Sequence, residues 1–170
     1  AQRDGIAANL RFLPLEKAIL ETIQSKTSRK SGSKLISQPM LQQLLISQLR
    51  EKLEDESSFW DPVRNYIRIS DSSSVELQER QLFQLAGRIA RLFQDYEFSR
   101  NTQILDHWRE GCYMLESQPT PLELWQRELW LSLFGPRGLL KSPEASSDTE
   151  YASLKRMKTL SELYAELDPQ

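Results

Sequence analysis

The sequence predicts an all-α fold, an irregular bundle of about seven helices with a short extended N-terminal segment. Three observations lead there. The stretch Ser73 to Tyr96, SSVELQERQLFQLAGRIARLFQDY, carries apolar residues at helical spacing without a break. Prolines at 14, 39, 62 and 121 each precede an apolar stripe, the place where a helix tolerates proline best. The one segment that reads as extended, Gly5 to Phe12, has no second strand to pair with.

Taken in order, residues 1–12 are expected to form an extended arm. Pro14 opens a first helix with Leu15, Ala18, Ile19, Thr22 and Ile23 on one face, fading near Ser25. Ser25 to Lys34, SKTSRKSGSK, holds no acid and no apolar residue, so residues 25–36 are expected to be a flexible loop. That loop is either a solvated connection or a phosphate contact, and phosphate contacts need several cations held in place. Ser37 and Pro39 start a second helix, striped by Met40, Leu41, Leu44, Leu45, Leu49 and Leu53. A short third helix follows Asp61, burying Val63, Tyr66 and Ile67. Ser70 to Ser74 is a polar break.

Ser73 with Glu76 reads as a capping box for the organising helix. Its inner face is expected to be Val75, Leu82, Leu85, Ile89, Leu92 and Tyr96, widened by Phe83, Ala86 and Phe93. Glu97 to Gln103 reads as a turn, followed by a short helix with Ile104, Leu105, Trp108 and Cys112 inside. Thr120, Pro121 and Glu123 supply a cap, a first-turn proline and a capping-box partner for the next helix. Leu122, Trp125, Leu129, Leu133 and Phe134 lie on its inner side and Trp130 near the edge. Gly135-Pro136 stops it, and residues 136–148 are expected to be a second flexible loop. A last helix runs from Thr149 to Leu167, with Tyr151, Leu154, Met157, Leu160, Leu163 and Tyr164 inward.

The totals bound the function. A chain of 170 residues fits one domain and buries roughly 70% of its unfolded surface without disulfides or metal. The net charge of −2 gives no overall basic signature, so a nucleic-acid contact has to be local. Cys112 is the sole cysteine, which excludes an internal disulfide and points to a reducing, cytoplasmic setting; it reads as a buried structural thiol. No apolar run reaches the ~20 residues of a membrane span. The chain opens at Ala1 on an apolar segment and reads as a piece, residues 1–170, of something larger, the alternative being a processed N-terminus.

Chemistry-bearing motifs are few in the sequence. Gly32-Ser33-Lys34 lacks the glycine spacing of a phosphate-binding P-loop. His107 and Cys112 have no second pair for zinc. No catalytic residue, metal ligand or cofactor is expected in the fragment. At least three of the four tryptophans suit core packing better than base stacking. On the organising helix Arg80, Gln84, Arg88, Arg91 and Asp95 make a polar stripe, with Arg100 just beyond it. Arg88, Arg91 and Arg100 form either a basic strip for phosphates or an ordinary solvated face.

Three blocks carry a resemblance: GIAANLRFLPL at Gly5 to Leu15, QLFQLAGRIARLFQDYEFSR at Gln81 to Arg100, and WQRELW at Trp125 to Trp130. In that order and at those separations they resemble the RecC family, the gamma subunit of exodeoxyribonuclease V. The resemblance implies a helical insertion in the first helicase-like domain of a subunit similar to a superfamily 1 helicase without ATP-binding motifs. It implies a complex that unwinds and degrades duplex DNA ends during recombinational repair. The partners are then single-stranded DNA, a RecB-like helicase–nuclease and a RecD-like helicase, with ATP and Mg confined to those partner subunits.

By position, the resemblance implies that Arg91, Leu92, Gln94, Asp95 and Arg100 belong to the channel that recognises a hotspot sequence. Leu92 and Arg100 agree with the family pattern. Arg91 and Gln94 stand where acids are usual, and Leu20 stands where an aromatic is found, so the resemblance implies strand passage without implying the family's same hotspot. Two readings stand: a non-catalytic domain that guides DNA, or a helical module for assembling the complex. The second expects an exposed apolar patch near Gly5 to Leu15.

Overall fold

A computed structural model describes residues 15–68, 74–113, 119–141 and 156–167. The expected arm at 1–12, most of the polar break, residues 142–148 of the second loop, and Tyr151 and Leu154 lie outside the described residues. The elements run α1 (Leu15–Ser31), β1 (Lys34–Leu35), α2 (Gln38–Leu53), a 3-10 turn (Ser58–Trp60), α3 (Asp61–Ile67) and α4 (Val75–Ser99). A π-helical turn (Asn101–Leu105), α5 (Asp106–Arg109), α6 (Pro121–Phe134), β2 (Met157–Lys158) and α7 (Leu160–Leu167) follow among the described residues. The fold is an all-α irregular bundle with one two-residue strand pairing.

The centre is the packing of α2 on α4. Leu41, Leu44, Leu45 and Leu49 of α2 meet Leu82, Ala86, Ile89, Ala90 and Phe93 of α4 in one buried cluster. Two alanines with no exposed surface let the helix axes approach. Gly87 extends this close approach: a Cβ there would lie 3.0 Å from Nε2 of Gln42, which donates to the Phe83 carbonyl at 2.9 Å.

Against this pair sits an aromatic chain. Phe93, Tyr96, Trp108, Trp130 and Phe134 follow one another with centroids 6.5, 6.0, 6.2 and 5.4 Å apart. Trp108 donates from Nε1 to Oε1 of Glu123 at 3.2 Å, which satisfies its one polar atom inside the core. Trp60 and Trp125 are buried as well, so all four tryptophans serve packing. Trp130, expected at the edge, is 1% exposed because α5 packs over it and Arg109 lies 5.2 Å above its ring.

The outer layer is polar by comparison. Residues 25–31, expected in a loop, continue α1. The hydroxyls keep it helical: Thr27 donates to the Ile23 carbonyl at 2.9 Å and Ser31 to that of Thr27 at 3.2 Å. Gly32, at φ 69°, ends the helix. β1 and the buried Ile36 follow, so the 25–36 loop is replaced by structure. β1 pairs in parallel with β2 through Lys34 N to Arg156 O at 2.8 Å and Ile36 N to Lys158 O at 3.1 Å.

The last helix starts at Leu160, and Met157 belongs to β2 instead. Thr159 and Glu162 set the start by reciprocal bonds: Thr159 N donates to Glu162 Oε2 at 3.0 Å and Glu162 N to Thr159 Oγ1 at 3.4 Å. Tyr164, expected inward, is 60% exposed. α7 is tied to α1 by Glu166, whose carboxylate accepts from Lys158, Ser31 and Ser33, while Lys30 Nζ donates to its carbonyl at 2.8 Å.

Helix boundaries and phase also differ from the sequence pattern. The α4 cap is Ser74, which accepts from Leu77 N, rather than Ser73. α4 runs on to Ser99, so the turn expected at Glu97 to Gln103 is helix and π-turn. Its buried arc is Leu82, Ala86, Ile89, Ala90 and Phe93; Val75 and Phe83 are 75% and 53% exposed. The alanines decide this phase, because only a small residue fits where α2 crosses. Leu122 in the first turn of α6 is exposed, and so is Cys112. Residues 136–141 of the second expected loop fold back: Leu139 N and Leu140 N bond the Ser132 and Leu133 carbonyls at 2.9 and 3.1 Å, and Leu140 is buried.

Candidate nucleic-acid interface

The helix that buries its alanine side against α2 presents the opposite side to solvent. Arg80, Gln84, Arg88, Arg91 and Asp95 are all exposed there, and Arg100 is exposed at the helix end. Several other cations of the domain are paired: Arg50 with Glu79, Lys52 with Glu128, Arg64 with Asp61, Lys141 with Glu162 and Lys158 with Glu166. Among the described residues Arg80, Arg88, Arg91 and Arg100 form no ion pair. Arg100 faces Tyr96, whose hydroxyl is pushed above its usual pKa by burial, against the pull of the Arg100 charge.

Two aromatic rings flank the stripe. Phe83 lies at one side, and Phe98, 46% exposed, follows Arg91 by two helical turns. Exposed rings interleaved with unpaired cations are the elements of a sequence-tolerant single-strand platform. Phe83 is misplaced by a pure apolar-period argument, and Phe98 is signalled only by its spacing from Arg91 and Gln94.

A cavity of about 580 Å³ opens beside the last turns of α4. Leu20 of α1, Leu35 and Ile36 around β1, Phe93 and Phe98 of α4, and Phe134 of α6 form its apolar wall. Gln94, Asp95, Glu97, Ser99 and Thr159 supply polar groups. Gln94 is half-buried and donates from Nε2 to the Ile36 carbonyl at 3.5 Å. Leu20, Gln94 and Asp95 thus meet at one place. Leu92 is half-buried, and Arg88, Arg91 and Arg100 stay on the open surface outside the cavity lining.

Glu97 sits at the inner edge of this cavity, with its side chain 8% exposed. Ser161 Oγ donates to its Oε2 at 2.5 Å, and Arg109 lies 3.6 Å from Oε1. Burial pushes the Glu97 carboxyl above its ordinary pKa; the Ser161 hydrogen bond and the Arg109 charge oppose that shift. Among the described residues no group of three His, Cys, Asp or Glu side chains is placed to hold a metal ion.

An all-helical domain with a cationic helix face beside a half-apolar cavity is the class these residues define. The chain matches the family model of the RecC N-terminal domain over residues 1–165, and it belongs to that family. Its context is a RecBCD-type complex, the ATP-dependent helicase–nuclease exodeoxyribonuclease V of DNA repair. No curated protein and no solved structure matches the chain. Among the described residues no helix is long and apolar enough to cross a membrane.

Proposed function

We propose that this domain is a non-catalytic guide for single-stranded DNA inside a cytoplasmic RecBCD-type complex, aiding strand separation and strand passage. The observation that carries the reading is the α4 face, where Arg80, Arg88, Arg91 and Arg100 are exposed without acidic partners among the described residues. In this reading Arg88, Arg91 and Arg100 contact phosphates, and Phe98 offers a ring to a base. Gln94 and Asp95 at the cavity mouth, with Leu92 beside them, read base edges in a hotspot. The domain uses no cofactor of its own; ATP and Mg act in RecB-like and RecD-like partner subunits.

The test is fluorescence anisotropy of labelled single-stranded DNA across a salt series. Wild-type binding is expected to weaken with salt, and Arg91→Glu/Arg100→Glu to abolish it. Salt-independent binding, or binding untouched by that double change in both the domain and the intact complex, would sink the reading.

A second reading, assembly of the complex, has one observation in its favour. Ala18, Ile19, Thr22 and Ile23 of α1 and Tyr164 and Leu167 of α7 line a shallow groove of about 410 Å³. Tyr164→Glu separates the two: it weakens subunit association under the assembly reading and leaves DNA affinity alone.

A further inference from the structure

Residues 159–161 meet the cavity in two ways. Thr159 and Leu160 form part of its wall, and the next residue, Ser161, ties that wall to α4. Ser161 Oγ donates to Glu97 Oε2 at 2.5 Å, and Ser161 N donates to the same oxygen at 3.4 Å. The anchor is firmly placed, because the Glu97 side chain is buried and lies 3.6 Å from Arg109 of α5. The turn is also self-contained, since the reciprocal bonds of Thr159 and Glu162 close within it. Apolar cohesion behind it is small. Leu163 is the buried apolar residue of α7, and it lies outside the cluster that joins Leu41, Leu45 and Phe93. Other polar ties of α7 run away from α4: Glu166 accepts from Ser31 and Ser33 beside β1, and Glu162 pairs with Lys141.

From this arrangement we infer that the first turn of α7 is a hinged wall of the cavity, held shut by the Ser161–Glu97 bond. Its hinge is the β1–β2 pairing, where Ile36 N bonds the Lys158 carbonyl one residue before Thr159. Release of the Glu97 bond lets Thr159 and Leu160 swing away from α4 and uncovers Leu41 and Phe93, cavity residues that are buried in the closed state. A segment with few buried apolar contacts opens before the core does, so α2 and α4 stay packed while the wall moves. The wall then regulates what enters the cavity. That the entering group is a base rests on the strand-guiding reading; the movement itself does not.

The test is thiol labelling with dithionitrobenzoate in the absence of DNA, so its failure and that of the strand-guiding reading are distinct results. In a Cys112→Ser background, Leu41→Cys puts a thiol on the cavity wall. Leu45→Cys puts one a helical turn further along α2, buried in the core and outside the cavity lining. Adding Ser161→Ala is expected to speed labelling of Leu41→Cys about tenfold, the effect of one hydrogen bond to a charged group, and to leave Leu45→Cys unchanged. An unchanged Leu41→Cys rate overturns the inference. So does equal acceleration at both sites, which is loosening of the whole domain. Should either cysteine variant fail to fold, amide exchange carries the test at position 161, whose N–H faces Glu97. Exchange there is expected to quicken about tenfold in Ser161→Ala with the α2 and α4 amides unaffected. No change at 161, or the same change in α2 and α4, overturns the inference.

Discussion

The inner and outer layers of this domain are held by different forces. Around α4 and α6, cohesion comes from tryptophans and leucines with almost no exposed surface. Between α1, the β1–β2 pair and α7, the few buried apolar side chains, Ile23, Ile36 and Leu163, are joined by hydroxyls, a two-residue sheet and one carboxylate shared by Lys158, Ser31 and Ser33. The first kind of contact sets global stability. The second sets where a segment sits and opens at lower cost. The cavity of the candidate site lies where the layers meet, lined by Leu20 and Leu35 on one side and Phe93 and Phe134 on the other.

Trp108→Ala is expected to have the largest effect. Removing the ring at the middle of the aromatic chain, together with the Glu123 bond, is expected to cost about 3–5 kcal/mol in urea unfolding. A loss below about 1 kcal/mol would show that the inner layer is not the source of stability.

Glu97 probes the seam, since it belongs to α4 and accepts from Ser161 of α7. Its carboxyl is raised above the ordinary value of 4.5 by burial. The folded state therefore holds a proton more tightly than the unfolded chain, and stability falls as pH rises from that value through the folded pKa. Glu97→Gln is expected to flatten this fall and to keep more stability at neutral pH than Glu97→Ala. Thermal melts of the three proteins between pH 4 and pH 8 check it; an identical pH slope in Glu97→Gln refutes the assignment.

Glu166 has the opposite sign. The Lys158 hydrogen bond holds its carboxyl below 4.5, so its contribution is present above that pH and lost as pH falls through the folded pKa. Glu166→Gln is expected to cost at most about 1 kcal/mol globally. Amide exchange should speed up in α1 and α7 while α2 and α4 stay protected. Uniform acceleration across all helices would erase the distinction between layers.

Leu20→Phe tests the cavity rather than either layer. The added ring can occupy the cavity, so stability should change by less than about 1.5 kcal/mol, while any DNA affinity that depends on the cavity drops. Unaltered DNA binding would separate the cavity from the interface.

What the sequence discloses follows the same division. The stripes of α2 and α6 are legible because large apolar residues recur at helical spacing, and Thr120 announces the start of α6. The phase of α4 is harder to read, because Ala86 and Ala90 are buried by fit rather than by hydrophobicity. The length of α1 is hidden by residues that look like loop yet bond their own helix, as Thr27 does. The β1–β2 pairing depends on contacts remote in sequence, so no local pattern announces it. Of the candidate site, the exposed Arg88, Arg91 and Arg100 are visible in the sequence. The cavity is not, since α1, β1, α4 and α6 each supply part of its wall.

The Gly87–Gln42 contact and the Ser74 cap also bear on how this chain tolerates changes in length. Together they fix the rotation of α4, and each residue inserted in a helix turns everything beyond it by about 100°. One insertion between Gly87 and Arg91 would swing Arg91 and Asp95 off the line that starts at Arg80, and turn Phe93 out of the core. Substitution at those arginines is cheap for folding, whereas insertion or deletion there is not. Drift in this helix is therefore expected to occur letter by letter, with gains and losses of residues confined to the connections outside it.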